Sequence, residues 1–121
     1  MINILIVDDH PLMRKGLALT LDSAPDMCVA DQAASAEEAL EIIEKKDLDI
    51  VIVDISLPGM GGLELIKFVR AVKPKLLCLV VSRHDEALYA ERSIRAGSRG
   101  YVMKLEAGDV IVDAVRRVIN G

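Results

Sequence analysis

Ile50-Val51-Ile52-Val53-Asp54-Ile55 is the stretch on which the fold turns. Its apolar residues fall at consecutive positions instead of alternating, so a strand here is covered on both faces, as in a parallel sheet flanked by helices. Two further runs of this kind, Ile2 to Val7 and Leu76 to Val81, and weaker ones near Met27 to Ala30 and Tyr101 to Met103, bring the expected strands to five. Between them the apolar period becomes helical: Met13, Leu17, Leu21 and Ala24; Ala36, Ala39, Leu40 and Ile43; Leu65, Val69 and Val72; Ala87, Ala90 and Ile94; Val110, Ala114 and Val118. Pro11 suits a first helical turn, Ser35 and Glu38 have capping-box spacing, and Gly97 suits a helix C-terminus. Five alternating strand–helix units with short connections predict an α/β fold, a doubly wound five-stranded parallel sheet. The ligand site of such a sheet lies outside the carboxyl ends of its strands, near the point where the strand order reverses.

Bulk properties narrow the class. A length of 121 residues with 52% hydrophobic residues suits one domain spanning 1–121, and no repeat or linker-like tract marks a second. The net charge of -4 leaves no basic excess to neutralise a nucleic-acid backbone, so this segment is not expected to bind DNA itself. No apolar run approaches the length of a membrane span, and Met1 is not followed by a basic segment and an apolar stretch with a cleavage site, which predicts no membrane association and a cytoplasmic location. Cys28 and Cys78 are too few and too far apart for a disulfide scaffold and read as small core residues.

The residues just past the strongest strands carry the chemistry: Asp8, Asp9 and His10 after the first, Asp54 at the end of the third, then Ser82 and Lys104. Three carboxylates meeting one lysine repel one another, and a hard divalent cation relieves that cost. An all-oxygen set suits Mg2+, which commonly bridges to phosphate. Phosphoryl transfer asks mainly for positioning and charge neutralisation, here from Mg2+, Lys104 and the Ser82 hydroxyl, with Asp54 as nucleophile. Taken singly, the same residues have ordinary readings. Asp8 and Asp9 could cap the helix at Pro11, Asp54 could form a turn before Pro58 and Gly59, Ser82 could be a turn residue and Lys104 a solvated one. His10 and His84, without cysteine or a close partner, make a poor zinc site and read as structural.

Together, VDDHP at 7–11, DISLPGMGG at 54–62, Ser82 and AGSRGYVMK at 96–104 resemble the receiver domain of bacterial two-component response regulators, over the whole chain. DHPLMRKGL at 9–17 is similar to the LuxR-type (NarL/FixJ-like) branch. The resemblance implies a flavodoxin-like (βα)5 receiver fold with Asp54 as phosphoacceptor. Asp8 and Asp9 become the acidic pair for Mg2+, Asp9 the more direct ligand and the Ser56 carbonyl a further one. Lys104 and Ser82 contact the phosphoryl oxygens, and Tyr101 is the switch aromatic. It also implies a sensor histidine kinase as partner, a helix-turn-helix output domain absent from this chain through which DNA and transcription would be reached, and a domain that catalyses only its own phosphorylation and dephosphorylation. With such a domain expected, the end at Gly121 reads as that of a fragment of a longer regulator.

Four positions depart from the pattern. Gly61 stands where many receivers carry Asp or Asn, Leu105 replaces a proline and so excludes a cis-proline, Ser82 replaces threonine, and Arg83 is large where relatives are small, placed to slow loss of the phosphoryl group. A flavodoxin-like FMN carrier and a phospho-aspartate phosphatase or mutase are the rivals. The first is disfavoured by DDHP where a phosphate loop belongs and by few aromatics, the second by Ser56 where its general acid would stand. Seven apolar residues between Val110 and Ile119 spread round the last helix, so a homodimer through it, with help from the first helix or fifth strand and favoured by phosphorylation, is expected.

Overall fold

A computed structural model describes residues 1–55, 57, 61–82 and 87–121, with backbone alone at 87–89, 105–107 and 109. Strands β1 (Ile2–Val7), β2 (Met27–Ala33), β3 (Ile50–Asp54), β4 (Leu77–Ser82) and β5 (Gly100–Met103) alternate with helices α1 (Pro11–Asp22), α2 (Ala36–Lys45), α3 (Gly62–Val72), α4 (Ala87–Ala96) and α5 (Lys104–Asn120). All pairings are parallel, in the order β2-β1-β3-β4-β5. The order therefore reverses between β1 and β3, the crevice the topology assigns to a ligand.

Consecutive apolar residues do what the opening stretch requires. Val51 and Val53 pack with Leu5 and Val7 against α2, α3 and α4, while Ile50 and Ile52 pack with Ile4 and Ile6 against α1 and α5. Every residue of β3 is buried, and each large aliphatic side chain sealed in this way contributes about 1.5–3 kcal/mol. Pro11 opens α1, the Ser35 hydroxyl accepts from the Glu38 amide at 3.1 Å, and Gly97 (φ 119) ends α4, its own amide bonding to Ile94 O and that of Ser98 to Ser93 O as in a Schellman motif.

Several expectations are corrected. β2 runs on to Ala33, because an edge strand pairing only with β1 tolerates Asp31 and Gln32, and a register shift between Ile4 and Leu5 carries it past Ala30. Val72 (56% exposed) and Ile94 (53%) face outward, with Ile66 on α3 and Ser93 and Ala96 on α4 taking the core positions. Among the described residues of α5 the core apolar side chains are Ile111 and Val115, one residue round from the expected stripe, since so many apolar neighbours leave periodicity unable to choose among stripes. Cys28 is only half-buried, while Cys78 is buried and its thiol is pushed up to about 12, which makes it inert. No helix among the described residues is long and apolar enough to cross a membrane.

Candidate functional site

Strand register assembles the site. Val7 pairs with Val53, Asp54 with Val81 and Ser82 with Met103, so Asp8, Asp54, Ser82 and Lys104 arrive at one edge of the sheet. Asp8 is 2% exposed and Asp54 1%, and Ser82 and Lys104 are also buried, whereas the Asp9 side chain is 35% exposed. Lys104 is the first residue of α5, where a cation opposes the helix dipole, so its position is held by the carboxylates in front of it. Its Nζ lies 2.9 Å from Asp54 Oδ2 and 3.1 Å from Asp8 Oδ2.

The β1–α1 turn is fixed from three sides. The Asp8 amide donates to Ala33 O at 3.0 Å, Asp8 Oδ1 accepts from the His10 amide at 2.8 Å, and the Arg14 guanidinium donates to Asp8 O at 2.6 Å. Neither Asp8 nor Asp9 caps α1, whose N-cap is His10 without a side-chain cap bond. That leaves the two carboxylates aimed at the crevice.

One lysine does not balance this set. Asp8 Oδ2 and Asp9 Oδ1 are buried and find no hydrogen-bond partner among the described residues, the contact from Lys104 to Asp8 being a charge contact without hydrogen-bond alignment. Oxygens of Asp8, Asp9 and Asp54 and a nitrogen of His10 lie within 4.8 Å of one another, the spacing of donors round one cation. The residues present therefore fit a divalent ion.

His10 belongs to the site, contrary to its reading as structural. Its Nδ1 lies 2.9 Å from Asp8 Oδ1, 3.3 Å from Asp9 Oδ1, 3.5 Å from Asp54 Oδ2 and 3.0 Å from Lys104 Nζ. The signal was its place directly after the two aspartates at a strand end. Tyr101 is half-buried on β5 and borders an open cleft of about 1130 Å³ along β5 and α5. Gly61 (φ 80, ψ 159), the N-cap of α3, has a conformation open essentially to glycine, so the Asp or Asn of many receivers would be strained there. No peptide bond among the described residues is cis. Ser56, Arg83 and His84 lie outside the described residues.

Comparison with known proteins follows the same lines. The family model described as response regulator receiver domain matches residues 4–116. The transcriptional activator protein ExaE of Pseudomonas putida is 39% identical over 118 residues, covering 98% of this chain and 55% of that protein. The nitrate/nitrite response regulator protein NarL of Escherichia coli K12 is 32% identical over 120 residues, again covering 98% and 55%. The chain thus spans about half the length of these relatives. Among solved structures, a LuxR-family two-component response regulator from Aurantimonas sp. SI85-9A1 superposes with a TM-score of 0.94 at 32% identity, covering 98% of this chain and 85% of that one. The receiver domain of the putative NarL from Mycobacterium tuberculosis does so with 0.93 at 29%, covering 99% and 97%.

Proposed function

Because the chain belongs to the response regulator receiver domains and is of their LuxR/NarL type, we propose that Asp54 is its phosphoacceptor. The observation that carries this is a buried carboxylate at the strand-order reversal, its Oδ2 2.9 Å from Lys104 Nζ and two further carboxylates beside it. An Asp54 oxygen attacks the phosphorus of a phosphohistidine on a sensor kinase. The P–O bond forms as the P–N bond breaks, and the leaving imidazole takes up a proton. The Lys104 ammonium and Ser82 hydroxyl meet the phosphoryl oxygens. Asp8, Asp9, Asp54 and the Ser56 carbonyl would hold Mg2+, which when bound neutralises the converging oxygens. Incubation with acetyl phosphate and Mg2+ followed by peptide mass analysis tests the assignment, with one phosphoryl group expected on the peptide containing Asp54.

Asp9 would be the more direct side-chain ligand. Replacing partners in the outer shell of a metal site costs about 10–100-fold in affinity, so removing a ligand itself should cost no less. Asp9→Ala is expected to lose most Mg2+ binding by calorimetry while folding normally, its side chain being partly exposed. Undiminished affinity would move the metal elsewhere.

The switched state would act in the cytoplasm on an output domain beyond this chain, with Tyr101 turning inward as Ser82 moves and the face around β5 and α5 reporting the change. We place homodimerisation on α5. Val110 is 37% exposed there, with Val112, Ala114, Val118 and Ile119 half-buried, and α1 offers Leu12 (84%) and Leu19 (70%). Val115 is sealed in the core, so a charge there would test folding and not association. Arg116 is held by both Asp26 oxygens, at 2.9 and 3.0 Å, which leaves Arg117 for the rim. Analytical ultracentrifugation should show the phosphorylated domain dimerising, Val110→Glu weakening it if the β5 side of α5 is used and Leu19→Glu if α1 is. A strictly monomeric phosphorylated domain at high concentration would refute self-association.

A further inference from the structure

His10 Nδ1 stands among donors as a ligand would. In four- or six-coordinate sites with bonds of about 2.0–2.2 Å, adjacent donors lie about 2.9–3.5 Å apart. Nδ1 lies 2.9, 3.3 and 3.5 Å from oxygens of Asp8, Asp9 and Asp54. The hydrogen bond between Nδ1 and Asp8 Oδ1 does not account for the ring's other neighbours. Nδ1 has one bonding position, and either tautomer leaves a neighbour mismatched. Carrying its proton, it donates to Asp8 Oδ1 and turns the same N–H toward the Lys104 ammonium at 3.0 Å. Without the proton it accepts from Lys104 and sets its lone pair against carboxylate oxygens.

A cation resolves this mismatch, because lone pairs that repel one another become ligands of one ion. A second observation points the same way: Asp8 is 98% buried, yet beyond the charge contact from Lys104 at 3.1 Å its Oδ2 finds no hydrogen bond among the described residues. The backbone has already set the ring. His10 precedes Pro11, which restricts it to extended backbone (φ -95, ψ 103), and its amide is tied to Asp8 Oδ1.

We propose that His10 Nδ1 is a metal ligand, making the acidic pocket a mixed oxygen and nitrogen site that takes first-row transition ions, Zn2+ and Co2+ above Mn2+, more tightly than an all-oxygen pocket would. The inference rests on reading the pocket as a cation site and adds a donor to it. Imidazole suits transition ions, whereas Mg2+ keeps to oxygen ligands and water. His10 therefore raises affinity for the former and contributes little to the latter.

Calorimetry and pulsed electron paramagnetic resonance on the untagged chain test it. Zn2+ and Co2+ affinity should fall about tenfold or more in His10→Ala, with Mg2+ affinity changed by much less. With Mn2+ bound, the spectrum should carry the modulation of one directly coordinated imidazole nitrogen. That signal should vanish in His10→Ala and survive in His84→Ala, these being the two histidines of the chain. Mn2+ bound without nitrogen modulation, or the same ratio of Zn2+ to Mg2+ affinity in His10→Ala, would overturn the inference and leave the oxygen pocket standing. If the wild-type chain binds none of these ions, both the inference and the cation-site reading fall.

Discussion

Asp54→Asn is expected to take up no phosphoryl group from acetyl phosphate and Mg2+ under conditions expected to label the wild-type chain. Asparagine matches aspartate in shape, and its amide oxygen still accepts a hydrogen bond, so the side chain keeps its place at the end of β3. What disappears is the anionic oxygen proposed to attack phosphorus. The fold should not suffer. Three carboxylates crowd one lysine here, with Lys104 Nζ 3.1 Å from Asp8 Oδ2 as well as 2.9 Å from Asp54 Oδ2. Removing one of those charges relieves repulsion and leaves Lys104 an acidic partner. The melting temperature should therefore hold or rise while labelling falls to background, a combination that unfolding cannot mimic. Wild-type labelling of the variant would place the phosphoacceptor at another residue.

Gly62→Ala should be the most damaging of the conservative substitutions. A Cβ at Gly62 would stand 2.5 Å from Asp54 O and 2.8 Å from Ile55 Cα, both backbone atoms that no rotamer change can clear. Overpacking of this kind typically costs 1–3 kcal/mol and occasionally more, and with backbone on both sides about 3 kcal/mol is expected. Alanine gains at most about 1 kcal/mol over glycine in helix propensity, so the clash wins. Urea titration should show a lower midpoint at unchanged slope. Phosphorylation of the folded fraction should slow too, because relief of the clash displaces the segment that carries Asp54. A midpoint shift worth less than about 0.5 kcal/mol, the ordinary range of surface substitutions, would mean that α3 moves outward freely.

The parallel sheet was legible because β1, β3 and β4 carry runs of consecutive apolar residues, Ile4 to Val7, Ile50 to Val53 and Leu77 to Val81, a pattern that cover on both faces explains. The site followed from it, since a parallel sheet brings its carboxyl ends to one edge and Asp8, Asp54, Ser82 and Lys104 stand at those ends. What stayed hidden had tertiary causes. Asp31 and Gln32 continue β2 because an edge strand needs little hydrophobicity. Ile94 resembles a core residue, yet Gly97 lies so near Arg70 that a Cβ there would meet its Cδ at 2.7 Å, and the described residues of α4 seat the small Ser93 and Ala96 instead. For His10 the local signal is its place directly after Asp8 and Asp9, while its meeting with Asp54 and with Lys104, the latter 94 residues away, is a tertiary matter that no local pattern encodes.

The small face of α4 has a thermodynamic consequence. α3 anchors itself with Leu65, Ile66 and Val69, and α1 with Leu17 and Leu21, whereas the described residues of α4 seat only Ser93 and Ala96. A fully buried leucine contributes about 1.5–3 kcal/mol that a serine or alanine does not. The part of α4 from Ala90 to Ala96 is thus held to the sheet by a shallow well, and lifting or sliding that part forfeits little hydrophobic free energy. Its amide protons should exchange with solvent through sub-global openings well before those of β3. A perturbation at the sheet edge worth only a few kcal/mol would be comparable with what holds this part of the helix in its seat.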